Sequence, residues 1–390
     1  MKPLRIGICC YPTYGGSGVL ATELGMALGR RGHQVHFICS QRPQRLAEGA
    51  DNVHFHAVEA RDYPVFPHTP YTLALCSTIV SVAQATGLDL VHAHYAVPHA
   101  TSAWMAQQVS GGFRLITTLH GTDITLVGSH PSYLPITRHS MVHSQRLTTP
   151  SQWLRDETVA RFGLDPATIE VVPNFVDTEA LHPGTDRRAL VRYIPDLADD
   201  EPVVVHVSNL RPVKRIDRVI EVFDRVATGR RARLLVVGDG PERARAEAMV
   251  AERGRQQQVV FVGNLAALAE VLRACTVFLL PSETESFGLA AAEALASGVP
   301  VVAARVGGLP EVVRHGTTGF LEPGDDLEAL ARRVGQQLDD GALRRRMGEA
   351  ARASVVERFR MGPVVDRYER LYRDVLAEAP VAERRPPGGR

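Results

Sequence analysis

Short apolar runs alternate along the chain with longer segments in which apolar residues recur at helical spacing. Near the start, apolar runs at 4–10 and 34–39 flank a glycine-rich turn and a helical pattern from Val19 to Arg30, which closes at Gly32. A strand, a helix and a second strand in this order predict a βαβ unit with parallel strands.

The same pattern begins again halfway along the chain. It predicts a strand over 202–207, a turn over 209–215, a helix over 216–227 and a strand over 233–238. Two such units predict an α/β protein of two Rossmann-like, doubly wound domains that face each other across a crevice. In sheets of this kind, ligands bind beyond the carboxyl ends of the strands.

The connection between the domains is expected within 172–186, where Pro, Asn, Asp and Gly follow a strand. We expect an N-terminal domain over 1–175 and a C-terminal domain over 176–362. A helix at about 363–378 is expected to pack back on the N-terminal domain. The segment 379–390 is rich in Pro, Gly and Arg, and we predict that it is disordered.

Composition narrows the class of protein. The 390 residues are 45% hydrophobic and 22% charged, with a formal net charge of +1, which argues against a surface that binds nucleic acid or anionic lipid through bulk charge. We find no apolar run of about 18 residues and no signal-peptide pattern, so we expect a cytoplasmic protein without integral membrane contact. The five cysteines lack zinc-type spacing and are expected to be buried, reduced thiols.

The glycine-rich turn at 15–18 is the first candidate for chemistry. Glycines let the backbone approach a ligand, and the N–H groups at a helix start attract anions. Residues 16–21 also fit the dinucleotide pattern G-x-G-x-x-A, which would suggest a nicotinamide enzyme. Against this, several residues separate the strand from the motif, and 38–41 hold no carboxylate for a ribose. A 2′-phosphate site at Ser40 and Arg42, and a loop without any ligand, remain alternatives.

The loop at 208–215 is the second candidate. Arg211, Lys214 and Arg215 place cations at the carboxyl end of a strand, where a diphosphate would lie. Apart from Lys2, Lys214 is the only lysine in the chain, which suggests a site that requires a compact ammonium group. The alternative is a solvated surface loop.

Two glutamates separated by seven residues, Glu285 and Glu293, are the most specific feature. A strand is predicted over 276–281 and a helix over 288–296, so one carboxylate precedes the helix and the other lies one to two turns within it. Carboxylates accept hydrogen bonds from sugar hydroxyls, and the N–H groups near 287–289 can meet a phosphate. The alternative is that Glu293 is an ordinary exposed glutamate on a helix. Its neighbours are apolar, which argues against this, because a buried carboxylate without a partner is costly.

Together with other segments, these features resemble the retaining GT-B glycosyltransferases of family 4. The matching motifs are the glycine turn, HAHY at 92–95, TLHGTD at 118–123, VVPNFVD at 171–177, LRPVKR at 210–215, VVGDGPE at 236–242 and E-x7-E at 285–293. They run from Gly15 to Glu293, which is most of the folded chain. The resemblance implies an acceptor-binding N-terminal domain and a nucleotide-sugar-binding C-terminal domain. It also implies hexosyl transfer without a metal or a cofactor.

Within the family, five segments look most similar to enzymes that move N-acetylglucosamine from UDP-N-acetylglucosamine (UDP-GlcNAc) to the hydroxyl of L-malate, the first step of bacillithiol biosynthesis. These segments are 9–25, 54–59, 92–100, 118–125 and 206–215. Another acceptor, such as inositol phosphate or a glycan, is the nearest alternative. A nucleotide-sugar epimerase and a non-catalytic nucleotide-sugar sensor are others. A homodimer or higher homo-oligomer is compatible with the sequence.

The resemblance also implies roles for individual residues. Catalytic roles fall on His120, Arg211, Lys214 and Glu285. The donor-binding residues are Gly16, Asn209, Arg211, Lys214, Gly238, Asn264, Leu265, Glu285, Ser286, Phe287, Gly288, Leu289 and Glu293. Of these, Glu293 would bind the ribose, Glu285 the sugar hydroxyls, Arg211 and Lys214 the diphosphate, and the backbone at 264–265 the uracil, with His120 beside the sugar. Many relatives have Gly-Arg-Leu where this chain has Ser-Asn-Leu at 208–210, so Arg211 is the candidate to replace that arginine.

An L-malate acceptor requires donors for two carboxylates. The acceptor-binding residues are predicted to be Gly16, Ser17, Tyr95, Thr118, Arg138 and Asn174. The N–H groups of Gly16 and Ser17 suit one carboxylate, and the hydroxyls of Ser17, Tyr95 and Thr118 can add hydrogen bonds. The guanidinium of Arg138 suits the second carboxylate, unless Arg138 is simply a solvated surface residue.

The histidines at 92, 94 and 99 could suggest a metal site. No acidic or cysteine partner fits their spacing, so we predict a structural role.

Overall fold

The computed structural model describes residues 2–13, 16–59, 70–184, 186–265 and 267–378. The chain divides into two compact units: unit 1 combines Met1–Pro173 with Gly362–Arg390, and unit 2 is Asn174–Met361. Gly15 of the glycine turn and the predicted disordered tail 379–390 lie outside the described residues.

Unit 1 is built on a parallel sheet, which has seven strands within the described ranges, in the order β3-β2-β1-β4-β5-β6-β7. The strands are β1 Arg5–Cys9, β2 Gln34–Cys39, β3 Val53–Ala57, β4 Leu90–His94, β5 Arg114–Thr118, β6 Arg146–Thr149 and β7 Ile169–Val171. The helices of this part of the chain are α1 Gly16–Arg30, α2 Tyr71–Thr86, α3 Thr101–Ser110, α4 Thr122–Thr125, α5 Leu134–Val142 and α6 Gln152–Phe162. A kinked π-type turn, Ala96–Ala100, precedes α3, and a 3-10 turn, Pro166–Thr168, precedes β7.

Unit 2 repeats this architecture with six parallel strands in the described part of the chain, in the order β10-β9-β8-β11-β12-β13. The strands are β8 Val203–Val207, β9 Arg233–Val237, β10 Val259–Phe261, β11 Val277–Leu280, β12 Val301–Ala304 and β13 Gly319–Glu322. The helices are α7 Arg188–Val191, α8 Ile216–Ala227, α9 Arg243–Glu252, α10 Leu268–Ala274, α11 Leu289–Ala296, α12 Leu309–Val312, α13 Leu327–Asp339 and α14 Gly341–Arg358, with a 3-10 turn at Pro212–Lys214. The two parallel α/β sheets confirm the predicted fold class.

The strands of unit 2 are apolar on both faces because helices cover both sides of the sheet. Along β8, Val203 and Val205 pack in one apolar cluster, whereas Val204 between them packs in a second. Alternate residues of a strand point to opposite faces, so each strand contributes to two cores. This explains why the sequence shows continuous apolar runs without alternation.

Several predicted elements coincide with the structure, including β2 at Gln34–Cys39 and α8 at Ile216–Ala227. Helix α1 differs, because it begins at Gly16, before the predicted start at Val19. Gly18 lies so close to the preceding loop that a Cβ atom would come within 2.6 Å of the carbonyl oxygens of Tyr11 and Thr13. Gly16 and Gly18 therefore belong to the first turn of the helix.

The final helix, α15 at Met361–Ala377, packs on unit 1. Glu369 accepts a hydrogen bond from Arg31, and its other oxygen lies 2.7 Å from Nε2 of the buried His33. On the same helix the Tyr372 hydroxyl lies 2.8 Å from Nδ1 of His92, which is in the central strand β4. These contacts join the end of the chain to the sheet formed by its beginning.

All five cysteines are free thiols. Cys275 is partly buried and the other four are buried, which agrees with the expectation of reduced thiols except for the partial exposure of Cys275.

Within the described ranges, no helix has the length and apolar character needed to cross a membrane.

Candidate active site

The strand order of unit 2 reverses between β8 and β11, and the most specific sequence features meet there. The Lys214 ammonium lies 2.7 Å from Oε1 of Glu285. Ser282, directly after β11, donates a hydrogen bond of 2.8 Å to the same oxygen. Loops that follow the two strands at such a reversal leave toward opposite faces of the sheet, which creates a binding site at the strand ends. The structure therefore brings together two residues that lie far apart in the sequence.

The loop after β9 supports the loop that carries Lys214. Gly238 has a φ of 114°, and a Cβ atom at this position would lie 1.8 Å from the carbonyl oxygen of Ser208. Only glycine permits this approach of the two backbones. Gly238 therefore lets the two loops pack closely, and its contact with the donor stays a prediction.

A buried histidine beneath the pair was missed by the sequence analysis. Nδ1 of His206 donates a hydrogen bond to the carbonyl of Leu279, and the Ser208 hydroxyl donates to Nε2, at 2.9 and 2.8 Å. Burial lowers the pKa of His206 to about 4, so the imidazole is neutral at pH 7. The only signal in the sequence was one histidine within an otherwise apolar strand, which is also typical of a core residue.

Most of the other predicted donor residues of unit 2 lie near the start of α11 or beside the 3-10 turn, whereas Asn264 and Leu265 follow β10. Gly288 is the N-cap residue of α11 with a φ of 92°, and Glu293 is partly buried on that helix. Phe287 is 2% exposed and packs edge-on against Phe359, so only its backbone can meet a ligand. Arg211 is exposed at the start of the 3-10 turn. The remaining residues are the exposed Asn264 and the partly buried Asn209, Leu265, Ser286 and Leu289.

The strand order of unit 1 reverses between β1 and β4, where predicted acceptor residues lie together. The hydroxyls of Ser17, on the first turn of α1, and Tyr95, directly after β4, are 2.8 Å apart. Gly16 is exposed beside Ser17. Tyr95 has a φ of 84°, a conformation that is costly for a bulky residue and that occurs mainly at functional sites.

Asp123 holds the loops of this site in place, although the sequence analysis gave it no role. Its buried carboxylate accepts hydrogen bonds from the backbone N–H groups of Ala96, His120 and Gly121, at 3.0–3.1 Å. It thereby joins the loop after β4 to the loop after β5. Burial raises the pKa of Asp123 to about 6, against the effect of these hydrogen bonds.

His120 is partly buried beside this site. Its Nε2 atom lies 3.0 Å from Nδ1 of the fully buried His94, and its ring lies 4.8 Å from the Tyr95 ring. Burial lowers the pKa of His120 to about 3, so it is a neutral hydrogen-bonding group at pH 7. No group of three or more side chains within the described residues is arranged to bind a metal ion.

The prediction for Thr118 is corrected. This residue is 1% exposed, and its hydroxyl lies 2.6 Å from both Nε2 of His92 and the hydroxyl of Thr148. Both partners are buried inside unit 1. Because the Thr118 hydroxyl is buried with them, it cannot reach an acceptor substrate.

Arg138 and Asn174 lie on other segments of the chain than Ser17 and Tyr95. Arg138 is exposed on α5, and its Nε donates a hydrogen bond of 2.9 Å to the carbonyl of Phe162 at the end of α6. Part of the guanidinium therefore stabilises a helix end, and its contact with a carboxylate remains a prediction. Asn174 is the first residue of unit 2, so it is not part of the unit that holds the other acceptor candidates.

Two family models and several known proteins match this chain. The model described as Glycosyltransferase Family 4 matches residues 14–180, and the model described as Glycosyl transferases group 1 matches 189–354. The N-acetyl-alpha-D-glucosaminyl L-malate synthase of Bacillus anthracis is 43% identical over 378 residues, which cover 96% of this chain and 98% of that protein. The chain belongs to glycosyltransferase family 4. It is therefore a glycosyltransferase, with a nucleotide sugar as donor.

Other relatives of this family 4 glycosyltransferase show how far the likeness extends. The D-inositol 3-phosphate glycosyltransferase of Acidothermus cellulolyticus is 33% identical, over 97% of this chain and 89% of that protein. The solved structure of sucrose-phosphate synthase from Thermosynechococcus elongatus has a TM-score of 0.82 at 24% identity and covers 96% of this chain and 100% of that one. The second likeness shows the shared GT-B fold.

The role of Asp123 can be tested by Asp123→Ala. Three buried N–H groups would lose their acceptor, so we expect the free energy of unfolding to fall by about 1–3 kcal/mol, with a parallel loss of activity as the His120 loop moves. Denaturant unfolding measures the first effect. Asp156→Ala, an exposed position in the same unit, is the control. If both variants were as stable as the unmodified chain, Asp123 would have no such role.

The raised pKa of Asp123 also predicts a pH dependence. A carboxyl that binds its proton more tightly in the folded state adds stability at low pH, and this contribution is lost as the pH rises through about 6. Asp123→Asn does not titrate, so its stability deficit relative to the unmodified chain should shrink between pH 5 and pH 7. A deficit that stayed constant between pH 5 and pH 7 would mean that the pKa of Asp123 is not raised in the folded protein.

Proposed function

We propose that the protein transfers N-acetylglucosamine from UDP-GlcNAc to the hydroxyl of L-malate, with retention of the anomeric configuration and without a metal. The Lys214–Glu285 pair carries this proposal, because it places a cation for a diphosphate next to a carboxylate for sugar hydroxyls. The name of the relative that is 43% identical supports the choice of N-acetylglucosamine and L-malate.

On the donor side, the reaction requires charge stabilisation. Breaking the bond between the anomeric carbon and the phosphate oxygen produces an oxocarbenium-like carbon and a diphosphate leaving group. The ammonium of Lys214 has three N–H donors and uses one on Glu285, which leaves two for phosphate oxygens. The exposed Arg211 adds a second cation. Side-chain charges can thus stabilise the leaving group in the way that a metal does in other enzymes.

On the acceptor side, the malate hydroxyl attacks from the same face as the leaving group. The new bond joins the hydroxyl oxygen to the anomeric carbon as the bond to the phosphate oxygen breaks, and the hydroxyl proton passes to that phosphate oxygen. The products are the α-linked sugar malate and UDP. His120, neutral because burial lowers its pKa to about 3, contributes a hydrogen bond near the donor sugar without adding charge.

Recognition of malate would rest mainly on the Ser17–Tyr95 group. The N–H groups of Gly16 and Ser17 offer donors for one carboxylate. One of the two hydroxyls, which are 2.8 Å apart, donates to the other, so the pair can add at most one O–H donor. Arg138 remains the candidate for the second carboxylate, with part of its guanidinium already bound to Phe162.

Transfer to an inositol phosphate is the second candidate function, since the relative that is 33% identical is named for that acceptor. The two acceptors differ in chemistry, because malate offers two planar carboxylates and an inositol phosphate offers one tetrahedral phosphate and several hydroxyls. Acceptor identity is therefore open to a direct experiment.

The experiment incubates purified protein with UDP-GlcNAc and, separately, L-malate, D-inositol 3-phosphate, L-lactate or no acceptor, and identifies products by mass. We expect a product with L-malate and little with lactate, which lacks the second carboxylate. A product with inositol phosphate alone, or equal use of lactate and malate, would contradict the proposal. Free sugar or an epimer formed from UDP-GlcNAc without an acceptor would indicate an epimerase. Binding of UDP-GlcNAc without any product would indicate a nucleotide-sugar sensor.

Lys214→Ala tests the role of the ammonium group in this reaction. Without it, negative charge on the leaving diphosphate is less well stabilised, so we expect kcat/KM to fall on the order of 10²-fold. Lys2→Ala is a matched control, because it removes the chain's other lysine at an exposed position. Near-normal turnover by Lys214→Ala would rule out this role.

A further inference from the structure

The contact between His94 and His120 defines a proton arrangement. His94, the last residue of β4, is fully buried, and its Nδ1 lies 3.0 Å from Nε2 of His120. Burial lowers the pKa of both imidazoles far below neutrality, so each ring carries one proton at pH 7. One ring must donate this hydrogen bond and the other must accept it, and the choice fixes which nitrogen of each ring is protonated.

The surroundings of His94 distinguish the two arrangements. Its Nε2 atom is enclosed and has no hydrogen-bond partner among the described residues. If His94 accepted the bond from His120, this enclosed atom would carry an N–H group without an acceptor. If His94 donates from Nδ1, the enclosed atom carries only a lone pair. Buried N–H groups without partners are rarer than buried acceptors without partners, so the second arrangement is favoured.

His99 provides an internal comparison. Its Nδ1 lies 2.6 Å from the carbonyl oxygen of His94, which can only accept, so Nδ1 of His99 must donate. Nε2 of His99 is therefore an unprotonated nitrogen, and it too is enclosed without a partner in the described part of the chain. Nε2 of His99 is thus an enclosed nitrogen with a lone pair and no donor, which is the state that the favoured arrangement gives to Nε2 of His94.

We propose that His94 is a positioning residue that holds His120 in the tautomer protonated at Nδ1. His94 donates from Nδ1 to Nε2 of His120, and His120 then has its own proton on Nδ1, the nitrogen left to face a ligand. The backbone of His120 is fixed by Asp123, and its ring is in contact with Tyr95. His120 consequently presents a neutral hydrogen-bond donor to a sugar oxygen. The identity of that ligand rests on the proposed function, but the tautomer does not.

The tautomer can be measured directly by ¹⁵N NMR of the ligand-free protein labelled at histidine, with the His120 signals assigned by their loss in His120→Gln. We expect a pyrrole-type shift for Nδ1 of His120 and a pyridine-type shift for Nε2. The reverse pattern would overturn the proposal. This measurement needs no substrate. The tautomer can therefore be confirmed even if the protein does not transfer sugar to malate, and it can be refuted even if the protein does.

Two variants test whether His94 is the cause. His94→Phe keeps an aromatic ring but removes the donor, whereas His92→Phe changes a ring that stacks on His94, with centroids 4.4 Å apart, and does not bond to His120. We expect averaged ¹⁵N shifts for His120 in His94→Phe and the original tautomer in His92→Phe.

A purely structural role of His94 would leave the tautomer unchanged, so an unaltered His120 spectrum in folded His94→Phe would refute the positioning role. In the same variant we expect kcat to fall on the order of tenfold, with the Kd for UDP unchanged. If His94→Phe does not fold, the spectrum of the unmodified protein decides alone.

Discussion

In each parallel sheet, neighbouring strands whose connections leave toward opposite faces create a gap at their carboxyl ends, and both candidate sites occupy such a gap. In unit 1 the reversal between β1 and β4 places Ser17 beside Tyr95, and in unit 2 the reversal between β8 and β11 places Lys214 beside Glu285. The strand order is thus the constraint on which the chemistry depends. Without this strand order, residues so far apart in the sequence would not come into contact.

Burial sets the charge of the titratable groups at the strand ends of unit 1. It keeps His94 and His120 neutral and raises the pKa of Asp123, so the two imidazoles offer neutral hydrogen-bonding groups to the proposed acceptor site. In unit 2 the partly exposed ammonium of Lys214 lies 2.7 Å from the carboxylate of Glu285. This division suits a reaction in which negative charge develops on the nucleotide.

The sequence predicts the sheets and the Lys214–Glu285 site because apolar runs and short motifs carry that information locally. The sequence does not predict which buried residues hold the site residues in place, because this depends on contacts between distant segments. The hydroxyl of Thr118 is occupied by His92, which in turn contacts Tyr372 at the other end of the chain. Asp123 and His206 escape notice for the same reason, because a buried acid or histidine has the same local pattern whether it supports a loop or only fills a core.

We propose that transfer retains the anomeric configuration and that side-chain cations, without a metal, stabilise the leaving group. NMR of the product tests both points. The product formed from UDP-GlcNAc and L-malate by protein treated with EDTA is isolated, and the coupling of its anomeric proton is measured by ¹H NMR. We expect the small coupling of an α-linked sugar, formed at the same rate with and without EDTA. A β-linked product, or a product that forms only after Mg²⁺ is added, would contradict it.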